Sequence, residues 1–333
     1  MSLSRLTILN DLPIPIRSRI IQPLPRVRDW LFFPTSDRWL SIFRIGLAVQ
    51  LLLYVFSLRS DWNYLLGGTG RGLVSRDLAE ALLSLESWMI PRFGWFIGLG
   101  KQLGIDETIV LSLSWYCLIL GAIFLLIGLY SRVAAVASWF LYLCSVKSGG
   151  LGTYGVDALT TTGLFYLMLS PLPDRLSLDH VWRKKFADSQ LLGFWRRVLQ
   201  LHLCLIYFFS GLTKALGRDW WNGINLWRSL IRPPFDLIPA DILVRFKYGF
   251  PVAGVAIFLL EIGYVFLIWR RGIGRVWLIA VLIMHVGIGL TMGMYLFASI
   301  MIILNLAAFG PGKLWREKEL RGDVSLSSSL DPA

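Results

Sequence analysis

Eight apolar runs divide this chain, at about 39–58, 108–130, 133–146, 154–170, 198–213, 249–269, 276–292 and 296–309. Most are roughly 15–23 residues long, the length at which a helix rising about 1.5 Å per residue crosses some 30 Å of hydrocarbon. In lipid the backbone must satisfy its own hydrogen bonds, so only helices or a closed barrel can span. The runs are continuous rather than alternating with period two, which selects helices. Composition agrees, with 56% hydrophobic and 16% charged residues, against about a quarter charged in soluble domains. The fold class read from this pattern is all-α, a polytopic membrane helical bundle of about eight transmembrane helices. Fifteen Trp residues suit a chain whose amphipathic rings sit at headgroup level.

Charge placement orients the bundle. Of 33 Lys and Arg, twenty fall in the arm and connections that lie inside if the N-terminus is inside; twelve fall outside, and Arg44 is within the first run. The short inner connections carry the bias, as the positive-inside rule requires. This predicts a multi-pass protein of the cell membrane with both termini cytoplasmic, the lipid bilayer being its first partner. The formal charge of +12 is then leaflet bias. Nothing resembles a basic surface interleaved with aromatics, so no nucleic-acid partner is expected.

Three segments follow: a basic, Pro-broken cytoplasmic arm at 1–38, a transmembrane domain at 39–312 and a polar cytoplasmic tail at 313–333. The arm lacks a signal-peptide core, and the first run reads as an uncleaved anchor. In the first outer segment Ser75 caps a helix with Leu78, Leu82, Leu85 and Met89 at helical spacing, ended by Pro91 and Gly94. That is an interfacial outer helix. Ser148-Gly149-Gly150-Leu151-Gly152 breaks the chain after the third run. No internal repeat is evident.

Ionisable groups inside spans are costly and need a partner, a wet cavity or a task. Arg44 reads as a cation snorkelling to the inner headgroups, and Asp157 as a carboxylate at a helix start. In the fifth run Gln200, Tyr207, Gly211 and Lys214 lie seven, four and three residues apart, one stripe on a helix face. Lys214 is either a snorkelling cation or a desolvated base. Glu261 in the sixth run, His285 in the seventh and Asn305 in the eighth make the bundle interior polar, with Gly287, Gly289 and Gly293 allowing close helix approach. Cys117, Cys144 and Cys204, like His180, His202 and His285, have no metal-ligand spacing, so no metal site is expected.

Three motifs carry a family likeness. Phe43-Arg44-Ile45-Gly46, then Ser210-Gly211-Leu212-Thr213-Lys214 followed by Arg218-Asp219-Trp220-Trp221-Asn222-Gly223, then His285-Val286-Gly287-Ile288-Gly289 before Met292-Gly293 resemble the horizontally transferred transmembrane (HTTM) domain. This is the membrane portion of vitamin K-dependent γ-glutamyl carboxylase and of many bacterial proteins. The likeness covers about 35–312. It implies a gamma-carboxylase-like enzyme with a reduced quinone as cofactor, in which Lys214 inherits the base that deprotonates the quinol and His285 matches a family histidine. Asp157, Gln200, Tyr207, Gly211, Asp219, Trp220, Glu261 and Asn305 would shape the pocket. The chain departs from the family in having no histidine before Tyr154-Gly155, and in stopping soon after the eighth run, without a large luminal substrate domain. Other members of the family, such as the membrane subunit that helps mature the sporulation-delaying-protein toxin, serve accessory roles.

Three functions therefore stand open. One is quinol chemistry on a small or peptide substrate with Lys214 as base. The second is a non-catalytic partner in peptide or toxin maturation or export. The third is a proton-coupled transporter using Glu261 and His285 as a relay.

Overall fold

In the computed structural model the structure describes residues 25–68, 75–150, 153–184 and 188–314. Most of the arm, most of the polar tail and Leu151-Gly152 of the glycine break lie outside the described residues. Each apolar run forms a helix: α1 Arg38–Ser57, α2 Glu107–Ile127, α3 Ser131–Ser148, α4 Gly155–Leu169, α5 Ser189–Leu216, α6 Gly249–Leu267, α7 Ile273–Met292 and α8 Tyr295–Lys313. Six of these, α1, α2 and α5 to α8, are long and apolar enough to cross a membrane. The other two fall short for visible reasons. α4 has 15 residues, and α3 carries Ser131, Ser138, Ser145 and Ser148 on its buried side.

Local signals set the helix ends. The Asp106 carboxylate accepts from Thr108 N at 2.9 Å and opens α2; Asp188 accepts from Gln190 N at 2.8 Å and opens α5. That cap starts α5 about nine residues before its apolar run, giving 28 residues in all. α2 closes on Gly128 at φ +73°. A Cβ there would sit 2.4 Å from Ser177 Cβ and 3.1 Å from Arg44 Cζ, so both backbone angle and space demand glycine. α8 breaks at Pro311 and Gly312, whose angles are non-helical. The break frees carbonyls that other helices then use.

α1 runs through the centre and packs on α2 and α8; α5 packs on α6, α7 on α8, and α3 on α2 and α4. Its Leu40, Phe43, Leu47 and Leu51 are fully enclosed. Consecutive helices among α1 to α8 run antiparallel, and side chains tie like ends together. Arg44 near the start of α1 donates to Asp174 beyond α4 at 2.6 Å and to Leu126 O near the end of α2 at 2.9 Å, and it also donates to Leu125 O. Ser41 Oγ donates to the same aspartate at 2.5 Å. Arg44 is therefore a fully buried clamp and not a snorkelling cation. The reach to headgroups is unnecessary once a carboxylate and two carbonyls satisfy its fork. We call this the arginine end. Lys214 sits at the opposite, lysine end.

Ser75 Oγ accepts from Leu78 N at 3.3 Å and caps the helix Arg76–Glu86, whose Leu78, Leu82 and Leu85 are exposed. It ends earlier than expected, at Ser87. Gly94 is not its stop but part of a further helix, Phe93–Gln102. Glu80 joins the two, its carboxylate accepting from Gly94 N at 3.0 Å and Ser148 Oγ at 2.7 Å.

Candidate functional site

The stripe on α5 faces inward. Gln200, Tyr207 and Gly211 are buried, and Lys214 is one-fifth exposed. Gly211 lets α6 come close: a Cβ would lie 2.8 Å from Ile262 N and 2.9 Å from Glu261 Cβ. The approach delivers Glu261 to Lys214. Lys214 Nζ donates to Glu261 Oε2 at 2.8 Å, to Oε1 at 3.0 Å and to Ser210 Oγ at 2.6 Å. Trp220, just beyond α5, places its ring centroid 5.3 Å from Nζ.

An ammonium has three N–H groups and no lone pair. Here its three acceptors are two carboxylate oxygens and a hydroxyl. Lys214 and Glu261 thus form an ion pair that joins α5 to α6.

Beside it lies a polar chain drawn from α5, α6, α7 and α8. The Tyr207 and Tyr264 ring centroids are 4.2 Å apart. Asn305 of α8 donates from Nδ2 to Tyr207 Oη at 2.7 Å and accepts from Tyr264 Oη at 2.8 Å. Tyr207 Oη lies 2.8 Å from His285 Nε2. Which of the two donates depends on the imidazole tautomer, since either assignment leaves one hydrogen of the pair without an acceptor. Nδ1 is buried and has no hydrogen-bond partner among the described residues. Buried polar atoms without a partner are uncommon in folded proteins.

The residues singled out from sequence separate into two sets. Lys214, Glu261 and Trp220 meet, and Tyr207, His285 and Asn305 meet next to them, with Gly211 making the space. The other three do not join. Asp157 accepts from Tyr154 N at 2.9 Å and Tyr142 Oη at 3.0 Å, capping α4 beside a separate cavity of about 190 Å³. Gln200 lies toward the arginine end, donating to Ala308 O at 2.8 Å. Asp219 points away and pairs with Arg228 at 3.0 Å on the surface. Glu261 and His285 are not partners of each other, because each finds a closer group on α5. Ser210 and Tyr264 complete the site; their spacing from Lys214 and Glu261, four and three residues, was the available signal. Comparison with protein-family models, with curated proteins and with solved structures finds no match to this chain.

Proposed function

We propose that the chain crosses the membrane eight times and that its Lys214–Glu261 pair is an acid–base centre for a lipid-soluble, quinol-type substrate. The eight-span reading rests on the antiparallel order of α1 to α8 and on the ties between like ends: Arg132 donates to Met168 O at 2.5 Å, Arg196 to Ala308 O at 3.1 Å and Lys313 to Arg270 O at 2.8 Å. With α3 and α4 counted as spans, both termini fall on one side, the cytoplasmic one by charge.

One observation carries the chemical reading: an ammonium bridged to a buried carboxylate, one-fifth exposed, beneath an indole ring at one end of the bundle. Proton transfer within the pair leaves an amine that can take a phenolic proton and a carboxylic acid that can return one. The aromatic and apolar surroundings suit a flat, apolar substrate, and His285 Nδ1 adds a buried polar atom to the same region. In a carboxylase-like reaction the quinolate formed would then be oxidised by oxygen.

The test uses protein in lipid nanodiscs with a reduced short-chain naphthoquinone, following its oxidation to quinone as oxygen is reduced to peroxide. Wild type accelerates the reaction. Lys214→Arg keeps the helical signature and loses about 10²-fold or more, the worth of a general base. An unchanged rate in Lys214→Arg defeats the proposal.

A further inference from the structure

The arginine end holds a second polar site, separate from Lys214. A cavity of about 220 Å³ is lined there by Arg196, Arg197, Gln200, Trp269, Phe309 and Lys313, among others. Arg197 is only 8% exposed. Its guanidinium carbon lies 4.1 Å from the Trp30 ring centroid, 4.4 Å from Phe33 and 5.1 Å from Trp269. Nε donates to Trp30 O at 3.2 Å, and one terminal nitrogen donates to Gln200 Oε1 at 2.8 Å. Gln200 is fixed in turn by Ala308 O, a carbonyl released by the break in α8.

None of these contacts to Arg197 is a carboxylate. Ring faces attract a cation by about 0.5–2 kcal/mol, but they do not neutralise it. Enclosed charges are ordinarily paired. Among the described residues no hydrogen bond uses the second terminal nitrogen of Arg197. More positive charge converges on the same place: Arg196 adjoins, Lys313 lines the cavity, and Arg275 Nε donates to Lys313 O at 2.9 Å. A site with two cations, a planar donor fork and aromatic walls, large enough for more than a carboxylate, has the features that recognise a phosphate ester.

We propose that this cavity binds a phosphate mono- or diester, with Arg197 and Lys313 holding the oxygens and Trp269 and Phe309 facing the esterified group. The source is either the headgroup of an anionic phospholipid or a water-soluble phosphate ester, and two arms separate them. In the lipid arm, native mass spectrometry compares retention of phosphatidylglycerol with that of a phosphate-free galactolipid. In the soluble arm, calorimetry on detergent-purified protein compares glycerol 3-phosphate with chloride at equal ionic strength. One bound ligand per chain is expected in at least one arm, and the arm that responds names the source.

Lys313→Gln, at the rim, and Arg197→Lys, which keeps the charge but loses the fork, should each weaken binding roughly tenfold, the worth of one charge-assisted hydrogen bond. Lys214→Arg should bind as wild type does, so this result is independent of the acid–base reading. Absence of one-to-one binding in both arms overturns the proposal, as does an affinity unchanged by both variants. If Arg197→Lys fails to fold, Lys313→Gln decides.

Discussion

At the scale of single residues, the pairing of Lys214 with Glu261 makes each side chain the condition for burying the other. Removing one member of a buried pair leaves an uncompensated charge and costs about 3–5 kcal/mol, an upper bound here because Lys214 is partly open. Glu261→Gln is therefore expected to lower thermal stability in detergent markedly. The double variant Lys214→Met/Glu261→Met should recover most of the loss, because it removes both charges at once. Additive losses in that cycle would show that the two groups do not interact. The stripe Gln200, Tyr207, Gly211 and Lys214 was legible from spacing alone. The partner of Lys214 was not, because Glu261, His285 and Asn305 were equally placed to supply it. Arg44 misled for a related reason. Its clamp, Asp174, lies 130 positions away in a connection with no distinguishing pattern.

Among elements, the contact of α5 with α6 decides the site, and one missing side chain permits it. A methyl group at Gly211 meets the backbone nitrogen of Ile262 at 2.8 Å, so the helices must part. Small residues at such crossings set interhelical distance in membranes. Gly211→Ala should destabilise the protein by roughly 1–3 kcal/mol, the cost of overpacking, and lengthen the Lys214–Glu261 contact. Gly287 is the matched control. The sequence suggests it as another close-approach residue, yet nothing lies within 4 Å of its added Cβ. Gly287→Ala should leave the melting temperature within error. An equal loss in both variants would mean that helix propensity, not crossing distance, governs the effect.

For the whole molecule, the bundle is fastened at the arginine end by buried charge. Asp174 joins Arg44, Ser41 and, through its own turn, Leu176 N at 3.1 Å. Asp174→Ala strands Arg44 in the core and should lower stability by about 3–5 kcal/mol. A melting temperature like that of wild type would show that water reaches Arg44. Orientation has its own test. Lys101 and Lys184 are exposed and belong to opposite ends of the bundle. A membrane-impermeant maleimide should label Lys101→Cys in intact cells and Lys184→Cys only after permeabilisation, since only a thiol in water reacts. The reverse pattern would invert the topology.

What the sequence determined by itself was the solvent, the helical class and the inward stripe of α5. Run length, charge bias and 3.6-residue periodicity are local properties, and hydrocarbon leaves the backbone almost no alternative to helix. Tertiary structure decided which inward faces meet: Lys214 with Glu261, His285 with Tyr207, Arg44 with Asp174, and Arg197 with three rings. Those choices depend on crossing distances and helix order around the bundle. Such quantities belong to pairs of elements, so no single stretch of chain encodes them.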